Sequence, residues 1–383
     1  MPAETRKLLK IWSTARASGE ECALATVVRV AGSSYRKPGA RMLITRNGQR
    51  TGTVSGGCLE GEVTRKIWWL TEDGPTVQDY ATSYDDDSVQ SYGLGCDGVV
   101  TLLLERTSHA ADIFEALRLS VEDRVPSAIV TIIGTNSLDF PLGARFVLPA
   151  NAASIFPTLA TSDLQKRLLP IAVETLNTRE SCGVSISLAV GSVDLFAEYV
   201  APPPALFVFG AGDDARPVVH LAHSMGWEIS VFDGRSNLAT PARFPLAHRV
   251  SVTSPNEDWE DLGIQAGDAA VVLTHSYVQD VAILRALLPM RFGYLGVLGP
   301  RRRTERIVEE VAPSIGMAPD RALDSLKSPV GLDLGAGSPD VIALSIIAEI
   351  QAVLSKRSAA PLNLSASPLA SAIGPPLATP IHD

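Results

Sequence analysis

Apolar and polar positions follow two different styles along this chain, and the change falls at Pro202-Pro203-Pro204, a stiff polyproline linker. Before the prolines, short β-branched runs mix with helical stretches. The opening MPAETRKLLKIWSTARASGE spaces its apolar residues as an amphipathic helix does. Residues 22–31 (CALATVVRVA) predict a buried strand. Residues 42–46 and 49–54 flank Asn47-Gly48, a two-residue hairpin signal. A helix is expected from Leu59 to Leu70 and a strand over 98–105. Then come a helix near 110–120, strands near 128–133 and 143–148, a helix near 162–177, and paired strands near 184–200 turning at Gly191-Ser192. The pattern leaves open whether 110–200 continues the first domain or forms a subdomain. No repeat with a period of about 20–50 residues stands out.

After the prolines, strand and helix alternate. Strands are predicted at 205–209, 228–232, 249–253, 269–274 and 293–298, with helical segments between most of them. Such alternation gives a parallel sheet with right-handed crossovers. The last helix opens at Ser338-Pro339-Asp340, an N-cap residue followed by proline at the first helical position. The expected class is α/β: a mixed N-terminal domain (1–201), a doubly wound parallel sheet (202–355) and a disordered tail (356–383).

Composition narrows the function. A chain of 383 residues favours two domains with separate cores. The net charge of −9 opposes non-specific nucleic-acid binding, so no such partner is expected. Cys22, Cys58, Cys96 and Cys182 form no CxxC pair, which argues for reduced thiols in a cytoplasmic protein and against a zinc ribbon. The N-terminus lacks the apolar core of a signal peptide. Residues 358–381 carry no charge, but their five prolines argue against a membrane span.

Several stretches carry candidate chemistry. Gly210-Ala211-Gly212-Asp213-Asp214-Ala215 follows a strand and opens a helix, fitting the GxGxxA dinucleotide fingerprint. Asp233 stands where an acid would bind a ribose hydroxyl, with Arg235 beside it. This admits NAD(P), although Asp213 and Asp214 put negative charge where a pyrophosphate would sit. Gly32 to Met42 (GSSYRKPGARM) combines glycines, the hydroxyls of Ser33 and Ser34, and Arg36, Lys37 and Arg41. Such a stretch suits an anion, although spacing alone favours a solvated loop. Ser55-Gly56-Gly57-Cys58-Leu59-Glu60 sets a cysteine at a helix N-terminus, which favours a reactive thiolate; an inert buried thiol is the plainer alternative. Cys96 repeats the glycine-flanked arrangement, while Asp85-Asp86-Asp87 reads as a solvated acidic loop. In the second half, His275 closes a strand and Asp280 follows, positions for a ligand or an acid–base pair, or for capping. Gly299-Pro300-Arg301-Arg302-Arg303 places cations at a helix start, an anion-site signal.

Taken together, GSSYRKPGARM, VSGGCLEGEV, GLGCDG, FVFGAGDDARPV, VFDGR, LTHSYVQD, YLGVLGPRRR and SPVGLDLGAGSPDVIALSIIAEI resemble the XdhC/CoxI family of xanthine dehydrogenase accessory factors, over residues 5–355. The resemblance implies a chaperone for molybdenum cofactor (molybdopterin), more than a turnover enzyme. Its partners would be a cysteine desulfurase that sulfurates the cofactor and a xanthine dehydrogenase-type molybdenum hydroxylase that receives it. Carried over, the family's pattern points to Ser34, Arg36, Gly56, Gly57, Cys58, Glu60 and Cys96, with Ser33 and Ser55 alongside. It points also to Gly210, Gly212, Asp233, Arg235, His275, Asp280 and Gly299. Cys58, Cys96, His275 and Asp280 would carry the chemistry. The chain departs from the family's frequent pattern at Asp97, Asp213 and Pro300. An NAD(P)-dependent oxidoreductase is the competing expectation, and a homodimer the default assembly.

Overall fold

The structure, a computed structural model, describes residues 2–81, 98–137, 139–151, 156–157, 162–188, 191–254, 262–265, 267–335 and 337–364. Cys96, Asp97, the Asp85–Asp87 run and the tail beyond 364 lie outside them. Contacts divide the chain into two compact units, one built on residues 4–202 and the other on residues 203–361.

The first unit opens with α1 (Pro2–Ala17), followed by β1 (Cys22–Gly32), β2 (Arg41–Thr45), β3 (Arg50–Gly52), α2 (Glu60–Leu70), β4 (Thr76–Ala81) and β5 (Gly98–Arg106). Then come α3 (Ala111–Glu122), β6 (Ser127–Thr135), β7 (Arg145–Pro149), β8 (Phe156–Pro157), α4 (Ser162–Thr178), β9 (Cys182–Leu188) and β10 (Gly191–Val200). They form two antiparallel five-stranded sheets, ordered β3-β2-β1-β5-β4 and β8-β7-β6-β10-β9. Residues 110–200 therefore supply mainly a second sheet of the same unit.

Strand alternation decides which way each residue faces. Ala23, Ala25 and Val27 of β1 bury against Val63 and Ile67 of α2. Their counterparts Ala128, Val130 and Ile132 of β6 pack on Leu168 and Ala172 of α4. The opposite faces share cores: Leu24, Leu43, Ile129 and Val147 meet Phe114 of α3 and Leu8 of α1. Trp12 stacks on Phe114 with ring centroids 4.4 Å apart, fixing α1 to α3.

Two details differ from the sequence expectation. The hairpin loop has three residues, Arg46-Asn47-Gly48, because Thr45 and Gln49 still pair (Thr45 N–H to Gln49 O, 3.0 Å). Gly48, at φ +82°, supplies the left-handed residue that closes such a loop. At the other hairpin, Gly191 and Ser192 pair with Leu188 and Ser187, so they belong to β10.

The second unit runs β11 (Ala205–Phe209), α5 (Ala215–Ser224), β12 (Glu228–Asp233), β13 (Arg249–Val252), β14 (Ala269–Val272), α6 (Tyr277–Leu287), β15 (Tyr294–Val297), α7 (Arg301–Ser314), α8 (Pro319–Asp324) and α9 (Pro339–Leu354). Its parallel sheet has the order β13-β12-β11-β14-β15. One face is covered by α5 and α9 and the other by α6, α7 and α8, which is why the strands read as unbroken apolar runs. This is the expected doubly wound sheet, and its strand order switches direction between β11 and β14. Ser338 caps α9 by accepting the Val341 N–H. Among the described residues no helix is long and apolar enough to cross a membrane.

Candidate functional site

In the first unit, the loop leaving β1 and the loop entering α2 line one cleft of about 550 Å³. Its walls are Ser33, Ser34, Tyr35, Arg36, Thr53, Ser55, Gly56, Gly57, Cys58 and Val100. Hydrogen bonds sort these residues. The Ser34 hydroxyl donates to Arg36 O (3.0 Å) and accepts the Arg36 N–H (3.3 Å), folding the loop tip on itself. Ser55 Oγ accepts the N–H groups of Gly57, Cys58 and Leu59 at 3.3, 3.1 and 3.0 Å, so these amides at the start of α2 are already satisfied. The Ser55 hydroxyl in turn donates to Glu60 (2.7 Å), whose other oxygen accepts the Val54 and Ser55 N–H groups. Burial alone would raise the Glu60 carboxyl, but the Ser55 hydroxyl and the backbone amides outweigh it and hold it below the usual range. Ser34, Ser55 and Glu60 therefore shape the loops.

What faces solvent is Ser33, Tyr35, Gly56, Gly57 and Cys58. Tyr35 is 79% exposed, with its ring 3.7 Å from where a Cβ on Gly56 would lie. Arg36 is half-buried, held through Nη2 by Glu4 of α1 at 2.6 Å. Its Nε is buried and makes no hydrogen bond to the described residues. Arg41, in the same basic stretch, is withdrawn from the cleft: it is buried and forms a bidentate pair with Glu198. The sequence reading did not single out Tyr35, Thr53 or Glu4, although Tyr35 lies inside the basic motif.

At the C-terminal ends of β11, β12, β14 and β15 the second unit gathers the other candidates. Gly210, at φ +124°, passes so close to β14 that a Cβ would lie 2.5 Å from Leu273 O. The glycine is needed for backbone approach within the protein itself. Asp233 is fully engaged: Oδ1 accepts Arg235 N–H and Nε–H at 2.8 and 2.9 Å, and Oδ2 accepts Ala211 N–H and Arg235 Nη2 at 2.7 Å each. The space beside it, lined by Phe209, Phe232, Gly234, Thr274 and Gln279, measures about 20 Å³. That is room for about one water, which needs roughly 10–15 Å³. With both Asp233 oxygens committed to Arg235 and Ala211, this pocket gives NAD(P) no support.

Burial alone would raise the Asp233 carboxyl, but the bonds from Arg235 and Ala211 hold it below its ordinary 3.8. Its contribution is thus complete above that value and is lost as pH falls through the lower folded one. Asp233→Asn is expected to cost about 2 kcal/mol near neutral pH. That deficit should shrink near pH 3, below the ordinary 3.8, where the unfolded chain already takes up the proton. Urea unfolding at the two pH values checks this, and a deficit that grows in acid would contradict it.

The remaining candidates form a rim. His275, 64% exposed, bonds Asp214 through Nε2 at 2.7 Å and sits at φ +59°, a strained backbone for histidine. Asp280 is buried; it accepts the Thr274 hydroxyl and pairs with Arg303 at 2.7 Å. Burial raises its carboxyl despite both partners. Gly299, at φ +131°, lies beside Arg303. Asp213 points outward to Arg243 at 2.9 Å. Gly212 sits in the same turn, against Asp214. Among the described residues no cluster of three His, Cys, Asp or Glu side chains forms a metal site.

A parallel-sheet unit of Rossmann type and a unit of two antiparallel sheets with a thiol-bearing cleft define a two-part α/β protein. The XdhC Rossmann domain matches residues 206–350, and the XdhC and CoxI family matches residues 15–81. The chain belongs to the XdhC/CoxI family. It is 30% identical over 333 residues to a Bacillus subtilis (strain 168) protein described as a probable xanthine dehydrogenase subunit. That match spans 86% of this chain and 92% of the relative. It is 23% identical to the Escherichia coli (strain K12) molybdenum cofactor insertion chaperone PaoD, over 91% of this chain and 88% of PaoD. A crystal structure from Bacillus halodurans described as a xanthine dehydrogenase superposes with a TM-score of 0.71 at 27% identity. It covers 94% of this chain and 98% of its own.

Proposed function

We propose that the chain holds molybdenum cofactor in the cleft of its first unit and delivers it to a molybdenum hydroxylase of the xanthine dehydrogenase kind. One observation carries the reading: the exposed Cys58 and the guanidinium of Arg36 line the same cleft. The cargo joins a phosphate to a soft, sulfur-bound metal. Arginine suits the first and a thiol the second. Gly56 and Gly57 leave room beside Cys58 for a bulky guest, and Ser33 offers a hydroxyl at the rim. The names of the relatives support a role in cofactor maturation.

Within this reading, sulfuration by a cysteine desulfurase occurs while the cargo is held, and the chain works as a homodimer. His275, oriented by Asp214, serves as the proton-exchanging group of the second unit. Asp280, Asp233, Arg235, Gly210, Gly212 and Gly299 keep that rim in shape.

The test is metal analysis and pterin fluorescence on the full chain, purified without oxygen from cells that make the cofactor. Molybdenum and pterin in equal amounts, close to one per chain, are expected. A chain free of both, from cells shown to contain the cofactor, would rule the reading out.

A further inference from the structure

We infer that residues 4–202 are an internal duplication of one sheet unit, and that the residues confined to the first copy are those that select the cargo. The copies coincide well beyond their shared strand order. Val27 N–H donates to Ala40 O and Gly39 N–H to Val27 O, both at 2.8 Å; Ile132 N–H donates to Ala144 O and Gly143 N–H to Ile132 O, both at 2.9 Å. Gly39 and Gly143 both lie in the left-handed region, at φ +90° and +78°. Each is followed by Ala and then by an arginine that opens the next strand, Arg41 opposite Thr26 and Arg145 opposite Thr131.

Even the irregularities match. β1 leaves Val28 out of its pairing with β5, and β6 leaves Ile133 out of its pairing with β10. These two side chains share a small core with Leu103 and Phe196, which occupy equivalent places on β5 and β10. β5 reads GVVTLLLE and β10 reads GSVDLFAE, so Gly98, Val100, Leu102 and Glu105 align with Gly191, Val193, Leu195 and Glu198.

The ion pairs then cross between copies. Arg41 of the first pairs with Glu198 of the second, and Arg145 of the second with Glu105 of the first, all four buried. When residue i meets j and j meets i, the contact is that of a two-fold dimer. Here both partners lie on one chain, so the unit is a dimer made covalent.

The copies differ in chemistry. Ahead of the Gly-Ala-Arg triplet the first has Ser33-Ser34-Tyr35-Arg36-Lys37, whereas the second has Asn136-Ser137-Leu138-Asp139-Phe140, with no cation. Ahead of its helix the first has Ser55-Gly56-Gly57-Cys58, while residues 150–161 contain neither glycine nor cysteine. Gly39 and Arg41 therefore belong to the duplicated frame, although they share a basic stretch with Arg36. Choice of cargo rests with Ser33, Tyr35, Arg36 and Cys58. This last step rests on the reading of the cleft as the cargo site.

Single and paired substitutions test both parts. Gly39→Ala and Gly143→Ala should each lower Tm while leaving molybdenum per folded chain at the wild-type level. Arg41→Met combined with Glu198→Met, which removes a crossed pair whole, should also keep its molybdenum. Arg36→Met should change Tm less than the glycine variants do, yet reduce bound molybdenum roughly tenfold or more. A Tm loss in Gly39→Ala without one in Gly143→Ala would break the equivalence. A folded Gly39→Ala chain or Arg41–Glu198 double variant that loses molybdenum as Arg36→Met does would overturn the division of roles. If the double variant fails to fold, Gly39→Ala alone decides that point. Wild-type protein without molybdenum would remove the cargo reading only, because the glycine comparison is read on Tm.

Discussion

Arg145→Met is expected to destabilise the first unit by about 3–5 kcal/mol, the usual result of stripping one partner from a buried ion pair. Arg145 is 0% exposed and bonds Glu105 at 2.5 Å, Asp112 at 3.0 Å and the His109 carbonyl at 3.1 Å. Burial pushes the Glu105 carboxyl up, and the guanidinium is what opposes that rise. Without it, Glu105 would ionise inside the protein only at a still higher pH than its ordinary 4.5. A carboxyl raised in the folded state penalises folding as pH rises through that value. The variant should therefore be further below wild type near pH 8 than near pH 5. Thermal unfolding followed by circular dichroism measures this, with a Tm drop of roughly 10 °C expected near neutrality. A Tm within about a degree of wild type at both pH values would mean that the buried charges are not coupled as the structure shows. Adding Glu105→Gln to the variant should recover part of the loss.

Cys58→Ala should unfold at the wild-type temperature, because the thiol is exposed and packs against nothing it stabilises. Its bound molybdenum, and its activation of the partner hydroxylase, should fall roughly tenfold or more. Cys58→Ser should fall as far, since it keeps the size and loses the soft sulfur. The other described cysteines are built-in controls. Burial pushes the Cys22 thiol up to about 11, and burial also raises Cys182, so both stay protonated at neutral pH. Iodoacetamide near pH 7 should therefore label Cys58 well before either, and bound cargo should protect it. Equal activity in the wild-type and Cys58→Ala proteins would remove the thiol from the mechanism.

The parallel sheet was legible because its strands are buried on both faces and leave unbroken apolar runs. β4 was not legible: TVQDYA lies at a sheet edge, where only Tyr80 is buried and the polar residues give no clear period. The duplication was hidden for a similar reason. Its copies keep Gly-Ala-Arg, one bulge and a few scattered identities such as Glu105 and Glu198 in register, too sparse to read as a repeat.

Site residues separated along the same line. Cys58 could be read from its glycines, and the structure leaves it in the open. Asp233 could be read as an acid at the end of the second strand, yet the arginine two residues on neutralises it. No spacing rule distinguishes an arginine that awaits a phosphate from one that has already found a carboxylate. Arg36, Arg41 and Arg235 all looked alike in sequence, and each has a different carboxylate partner in the fold.

The crossed pairing of Arg41 with Glu198 also joins residues made far apart in time during synthesis. Arg41 leaves the ribosome with the second strand, whereas its acidic partner arrives only with the tenth. Until then Arg41 lacks its carboxylate partner and has the Gly39 carbonyl to bond within the first copy. This buried pair can therefore form only after the last strand of the unit has been made.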